Sequence, residues 1–264
     1  MTKLSWTGFS KKTPQERKEH LKKNALLSQE NQDLLDKNQQ LTLETANQMA
    51  ENVIGRFTLP FAICPDVLVD GVTYQVPMVT EEPSVVAAAS YASKLIKRSG
   101  GFTTTIHDRQ MIGQVALFDV PDKDDASRKI QAASQDLIEI AKEAHPSIVK
   151  RGGGPRKLWT ETKGEFLIVY LAVDTQEAMG ANMVNTMMEA LVPELENLSK
   201  GQSLMAILSN LATESLVTAT CRLSTRFLSR NKEEAHDLAK KMEMASQLAQ
   251  VDPDRAATHN KGNV

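Results

Sequence analysis

Glu81 and Glu82 stand side by side, directly ahead of Pro83 and Ser84. Proline is favoured at the first position of a helix, so both carboxylates fall where the helix dipole accepts negative charge. Taken alone, the pattern is a helix cap. Its neighbours give it a second reading, because Val76-Pro77-Met78-Val79 precedes it and Val85-Val86-Ala87-Ala88-Ala89 follows. A carboxyl group between two such runs is expected to be poorly solvated, with its pKa raised towards neutrality, as a general acid requires. A second set lies at Arg255 and His259-Asn260-Lys261-Gly262. Arg255 and Lys261 can bind anions, and a lysine can polarise a carbonyl as charge develops on its oxygen. The plain alternative is a frayed, charged chain end.

Between these sets, Glu177-Ala178-Met179-Gly180-Ala181-Asn182 follows a run that reads as a strand ending at Val173-Asp174. Gly180 and Ala181 leave backbone uncovered where a helix begins, and free N–H groups there can hold a phosphate or a nucleotide ribose. The segment is not GxGxxG, so a dinucleotide site here is of another kind; a simple strand-to-helix connection is the bland reading. Gly152-Gly153-Gly154, flanked by Lys150, Arg151 and Arg156, is either a phosphate-cradling loop or a flexible basic turn. His107, His145 and His236 fit no metal-ligand spacing.

The elements that must position these groups are legible from period and punctuation. Thr13-Pro14-Gln15-Glu16 has the form of a capping box with proline at the first helical position. Further helices are expected over 30–36 and 43–53, the latter closed by Gly55. Asp70-Gly71, between Val67-Leu68-Val69 and Val72-Thr73-Tyr74-Gln75-Val76, predicts a hairpin. Residues 83–95 read as a helix whose many small side chains imply burial. After Gly100-Gly101 comes a β-like run over 102–120, a long amphipathic helix over 124–144 and two strands within 157–173. A helix over 183–198 and a strand over 204–208 follow. Strands alternating with two helices in this way predict an α+β sandwich, ferredoxin-like in style, inserted at about 103–213 into a larger helix-rich domain made of 1–102 and 214–264. Residues 215–224 read as one more strand. Residues 231–250 read as a helix with Ala235, Leu238, Met242, Ala245, Leu248 and Ala249 on one face.

The bulk properties exclude several classes of partner. A net charge of -2 over 264 residues and a pI near 6.2 give no electrostatic reason to expect nucleic acid or an anionic membrane. No apolar run approaches the roughly 20 residues that span a bilayer, and residues 1–23 lack a signal-peptide core. Cys64 and Cys221 match no redox or metal spacing and read as buried free thiols. A cytoplasmic location is expected.

Four segments together resemble one family. Glu51-Asn52-Val53-Ile54-Gly55 is similar to the subunit-contact segment of 3-hydroxy-3-methylglutaryl-CoA reductases of the bacterial, class II type. The run from Glu81 to Ser90 resembles their substrate-side segment, Glu177 to Asn182 their cofactor segment with Glu in place of the usual first Asp, and Val251-Asp252-Pro253 with 255–262 their catalytic-lysine segment. The four occur in the family's order, with the α+β insertion between them. The resemblance implies reduction of the thioester to mevalonate and CoA by two hydride transfers. It makes Glu82 the catalytic acid and Lys261 the lysine that stabilises the carbonyl oxygen. Ser84, Asn210 and Arg255 become binders of the hydroxymethylglutaryl part. Glu177, Ala178, Met179, Gly180, Ala181 and Asn182 become the NAD(P)-binding segment of the inserted domain, and no metal is expected. Hydroxymethylglutaryl-CoA or mevalonate and CoA are the implied ligands, and a homodimer or higher homo-oligomer the implied assembly.

Cofactor choice turns on Lys142-Glu143-Ala144-His145-Pro146, Lys150 and Arg151. The histidine and the cations favour the 2′-phosphate of NADPH, while Glu143 can still serve NADH. The family's pattern also supplies a catalytic aspartate between the acid and the lysine and, past the lysine segment, a histidine on a mobile C-terminal domain, neither of which is assigned in these 264 residues. The sequence alone therefore leaves a second expectation beside the enzyme: a catalytically incomplete fragment that dimerises or binds CoA or nucleotide without turnover.

Overall fold

The computed structural model describes residues 4–37, 41–79, 82 and 84–259. Contacts within the chain group it into two compact units, 1–102 with 221–264, and 103–220.

The first unit begins with α1 (Pro14–Lys23), whose capping box forms as the sequence requires: the Glu16 N–H donates to Thr13 Oγ1 and the Thr13 N–H to the Glu16 carboxylate at 2.7 Å. Lys18 and Lys22 reach Asp36 at the end of α2 (Gln29–Asp36), at 3.4 and 2.6 Å. The third helix, α3 (Leu43–Met49), stops well before Gly55, because Ala50 turns to extended backbone. Next come β1 (Phe61–Val69) and β2 (Val72–Val79), an antiparallel pair. Asp70 and Gly71, with φ of 47° and 81°, make the two-residue turn between them. Pro65 and Asp66 form a bulge in β1, which removes a proline from the ladder, and Lys97 bridges to Asp66 at 2.6 Å.

Lys97 belongs to α4 (Val85–Arg98). The small residues of this helix predict burial, and the structure corrects that: only Ser93 and Leu95 are buried, while Ala87, Ala88, Tyr91 and Ala92 are exposed. Its buried side faces β1, where Ser93 Oγ lies 3.6 Å from Cys64 Sγ.

The second unit holds two sheets. The run over 102–120 reads as one continuous stretch, but β3 (Thr103–Arg109) and β4 (Met111–Phe118) belong to different sheets. The expected long helix is α5 (Lys123–Ala132) and α6 (Ser134–Ala144), interrupted at Ala133 and followed by the short α7 (Pro146–Lys150). Then follow β5 (Gly154–Lys163), β6 (Phe166–Asp174), α8 (Ala181–Ser199), β7 (Gln202–Ser209) and β8 (Ser215–Thr220). Strands pair antiparallel in the order β5-β6-β4-β7, and β8 pairs with β3. That last pairing holds 215–220 with the second unit, although the sequence pattern ends the insertion at 213.

The core of this unit follows the two-residue period of its strands. Leu167, Val169, Leu171 and Val173 on β6, with Val115 and Leu117 on β4, are fully buried. They meet Ile130 and Leu137 of the first helices and Val184, Met187, Met188 and Leu191 of α8. Each such side chain stabilises the fold by about 1.5–3 kcal/mol relative to exposure. Gly113 lets α8 approach, since a Cβ there would lie 2.5 Å from Met188 Cγ.

The chain returns to the first unit with α9 (Lys232–Val251), capped by Asn231, and α10 (Pro253–His259). Of the apolar face expected on α9, Ala235 is buried, but Leu238, Met242 and Leu248 are 40%, 51% and 50% exposed. Among the described residues nothing covers them. Cys64 is buried as expected, whereas Cys221, just past the end of β8, is exposed. No helix among the described residues is long and apolar enough to cross a membrane.

Candidate functional site

The segment 177–182 occupies the turn from β6 into α8, and the structure shows why the chain has this form. Gly180 is the N-cap of α8 at φ 86°, with no side-chain cap. A Cβ on it would overlap Thr175 Cγ2 and lie 2.9 Å from Thr175 Cβ. Glycine is therefore required twice, for the left-handed backbone and for the close approach. Thr175, only 1% exposed, donates its hydroxyl to the Ala178 carbonyl at 2.8 Å and accepts the Ala178 N–H on its own carbonyl at 3.1 Å. The first-turn N–H groups of α8, from Ala181 to Met183, have no intrahelical acceptor and no capping side chain. Met179 is 71% exposed, and Asn182 is exposed as well. Such a helix end can receive an anionic or ribose oxygen.

Beside it lies an open, polar recess of about 320 Å³, lined chiefly by Arg109, Arg156, Asp174, Gln176 and Glu177. Its cations are already matched. Arg109 faces Glu177 at 3.6 Å and Arg156 holds Asp174 at 2.8 Å. Burial pushes the Asp174 carboxyl up, but hydrogen bonds from Arg156 and the Gln176 N–H outweigh it and hold the group below the usual carboxylate range. The triple glycine is a packed corner as well as a turn: Gly152 and Gly154 have positive φ, and a Cβ on Gly153 would meet the Asp174 carbonyl at 2.6 Å. At the end of α6, Lys142 pairs with Glu139 at 2.7 Å and His145 with the Ser147 hydroxyl at 3.2 Å. Lys150, Arg151 and Glu143 are exposed.

The remaining predicted residues are divided between the two units. Glu82 and Ser84 stand just before α4, and Ser84 has φ 72° without a capping bond. A non-glycine residue in that conformation persists only where its surroundings hold it, and such residues cluster at functional sites. Glu82 is exposed in the single chain. The poorly solvated setting expected for it does not form there, because Val76, Val79, Ala87 and Ala88 are themselves exposed. Arg255 lies exposed on α10. These three belong to the first unit, while 177–182 and Asn210, exposed just after β7, belong to the second. Glu81, Pro83, Asn260, Lys261 and Gly262 lie outside the described residues. Sequence reasoning missed Arg109 and the buried Thr175 hydroxyl. The available signal was a polar residue directly following a strand of buried apolar ones.

Comparisons with known proteins converge. The family model described as hydroxymethylglutaryl-coenzyme A reductase matches residues 13–264. The 3-hydroxy-3-methylglutaryl-coenzyme A reductase of Archaeoglobus fulgidus is 38% identical over 259 residues, which are 97% of this chain and 58% of that protein. A probable reductase of the same name from Borreliella burgdorferi is 32% identical, over 81% of this chain and 49% of its own length. The chain thus spans about half the length of these curated relatives. A class II 3-hydroxy-3-methylglutaryl-CoA reductase structure from Streptococcus pneumoniae, bound to NADPH in open conformations, superposes with a TM-score of 0.94 at 61% identity, covering 97% of this chain and 70% of that one.

Proposed function

Because the chain belongs to the hydroxymethylglutaryl-coenzyme A reductase family, we propose that it serves the reduction of 3-hydroxy-3-methylglutaryl-CoA to mevalonate and free CoA with NADPH. The observation that carries this is the turn at 175–182, a glycine-dependent, uncapped helix start beside a polar recess, in a chain 61% identical to a reductase solved with NADPH.

The residues present fit a dinucleotide. The free N–H groups at the start of α8 can take polar oxygens of the cofactor, and the exposed Met179 and Asn182 flank them. Lys150, Arg151 and His145 supply positive charge and donors for a 2′-phosphate, which favours NADPH over NADH. NADPH, when bound, would supply one hydride per molecule, so two molecules would be consumed for each thioester reduced to the alcohol. The chain's own residues do the remaining work. Lys261 holds a positive charge against the oxygen as it becomes negative. Glu82 delivers a proton to that oxygen. Ser84, Asn210 and Arg255 bind the hydroxymethylglutaryl part, with Arg255 pairing its carboxylate. The unit 103–220 is read as the NAD(P)-binding domain, and the reading of it as ferredoxin-like is supported by β4, α5–α7, β5, β6, α8 and β7 following in strand-helix-strand-strand-helix-strand order, with β3 and β8 outside that set.

A homodimer or higher homo-oligomer belongs to the same proposal. Ile54 and Phe57 are 101% and 88% exposed and Met49 72%, beside an apolar recess of about 370 Å³ that includes Ala46, Val53 and Phe57. Exposed apolar groups clustered this way mark association surfaces. Phe57→Asp is expected to shift the mass measured by light scattering towards the monomer; an unchanged mass would place the interface elsewhere. The cytoplasm is the proposed compartment, in keeping with two free thiols.

Ligand-dependent unfolding tests the proposal as a whole. NADPH and hydroxymethylglutaryl-CoA should each raise the melting temperature as their concentrations pass their dissociation constants. Absence of any shift with either ligand would reject it.

A further inference from the structure

One carboxylate joins three segments beside the 177–182 turn. Asp174 Oδ2 accepts from Arg156 Nη2 at 2.8 Å, and the same nitrogen donates to the Gly152 carbonyl at 2.5 Å. Asp174 Oδ1 accepts the Gln176 backbone N–H at 2.9 Å, and Gln176 Nε2 reaches both carboxylate oxygens at 2.9 and 3.0 Å. Gln176 is held at φ 53°, in the left-handed region that a residue with a Cβ occupies only when its surroundings impose it. The backbone and the side chain of Gln176 are thus gripped by the same group. The path of the chain beyond Gln176 depends on that grip. Thr175, between the two, bonds Ala178 through its hydroxyl, and Gly180 packs on Thr175.

We propose that Asp174 is a positioning residue: by fixing Gln176 in its left-handed conformation it sets the path of 177–182 and hence the affinity for the dinucleotide. This rests on the reading of 177–182 as the cofactor segment. Asp174 acts through Gln176, which its carboxylate binds at backbone and side chain, and through Thr175, which stands between the two. Its partner Arg156 keeps the carboxylate ionised and ties it to the glycine corner, so the carboxylate has a fixed origin from which to hold the turn.

The test compares wild type, Asp174→Asn and the double variant Asp174→Asn/Gln176→Gly in the intact protein. NADPH affinity is measured by fluorescence titration, hydroxymethylglutaryl-CoA affinity by calorimetry, and backbone amide exchange over 175–180 by mass spectrometry. Asp174→Asn is expected to weaken NADPH binding roughly tenfold, the size of one lost charge-assisted hydrogen bond, to speed exchange over 175–180, and to leave the thioester affinity unchanged. Glycine takes a positive φ without help, so the double variant should recover most of the NADPH affinity. Equal loss for both ligands indicates general destabilisation and overturns the proposal. So does unchanged NADPH affinity with faster exchange, or a folded double variant that recovers nothing. If Asp174→Asn does not fold, Gln176→Ala is read by the same criteria. A wild-type protein that binds no NADPH removes the cofactor reading itself and this proposal with it, an outcome distinguished by the failure of the wild type.

Discussion

Under the proposed function, Glu82→Gln is expected to slow NADPH-dependent reduction of hydroxymethylglutaryl-CoA by about 10²–10⁴-fold, the usual contribution of a positioned general acid. Glutamine keeps the shape and the hydrogen-bonding capacity of the side chain but has no carboxyl proton to give. Glu82 is exposed in the single chain, outside any helix or strand, so the isosteric change should move stability by no more than about 1 kcal/mol, the most an exposed ion pair usually contributes. NADPH affinity should also stay the same, because glutamine keeps the size of the side chain and the residues 177–182 proposed to hold the cofactor are unchanged. A loss confined to kcat, with melting temperature and nucleotide affinity intact, is the expected result. A variant with wild-type turnover would remove Glu82 from the chemistry.

The second large effect is expected at Gly180. An alanine there meets two penalties. Its backbone would sit at φ 86°, which costs an L-residue about 1–2 kcal/mol. Its Cβ would also overlap Thr175 Cγ2. Thr175 has little room to yield, being buried and bonded to the Ala178 carbonyl. The turn must therefore shift, and losing one hydrogen bond to a charged ligand group there, about 1.5–3 kcal/mol, weakens binding by roughly 10–10²-fold. Gly180→Ala should weaken NADPH binding by that order, measured by titration, with the core of the unit still folded because it also rests on Leu117, Leu137, Leu167 and Leu191, which lie outside the turn. Wild-type affinity in this variant would contradict the placement of the cofactor at α8.

Local chemistry made much of the fold legible. The capping box at Thr13 and Glu16, the Asp70–Gly71 turn and the alternation of β6 all arise from interactions between residues close in sequence. The features that escaped depend on distant partners. Residues 103–109 and 111–118 look alike, yet β3 pairs with β8, more than a hundred residues later, and this moves the edge of the second unit to 220. The break at Ala133 leaves the amphipathic pattern of α5 and α6 almost unaltered, so periodicity passes over it. Composition predicts burial of α4, and α9 carries an apolar face, but small or apolar residues show what a helix can pack against and not what is there. For the proposed site, the segments were marked by motif order alone. The role proposed for Asp174 was not legible, since a terminal aspartate on a strand reads as a solvated end until its bonds to Arg156 and to the backbone and side chain of Gln176 are seen.

The most direct measurement is the stoichiometry of turnover. Purified protein, hydroxymethylglutaryl-CoA and excess NADPH are followed by absorbance, with mevalonate measured by mass spectrometry and free CoA by thiol titration. Two NADPH oxidised for each mevalonate and each CoA thiol released is the result expected of a reductase. Binding of both ligands without oxidation of NADPH, or oxidation without release of CoA, would contradict it.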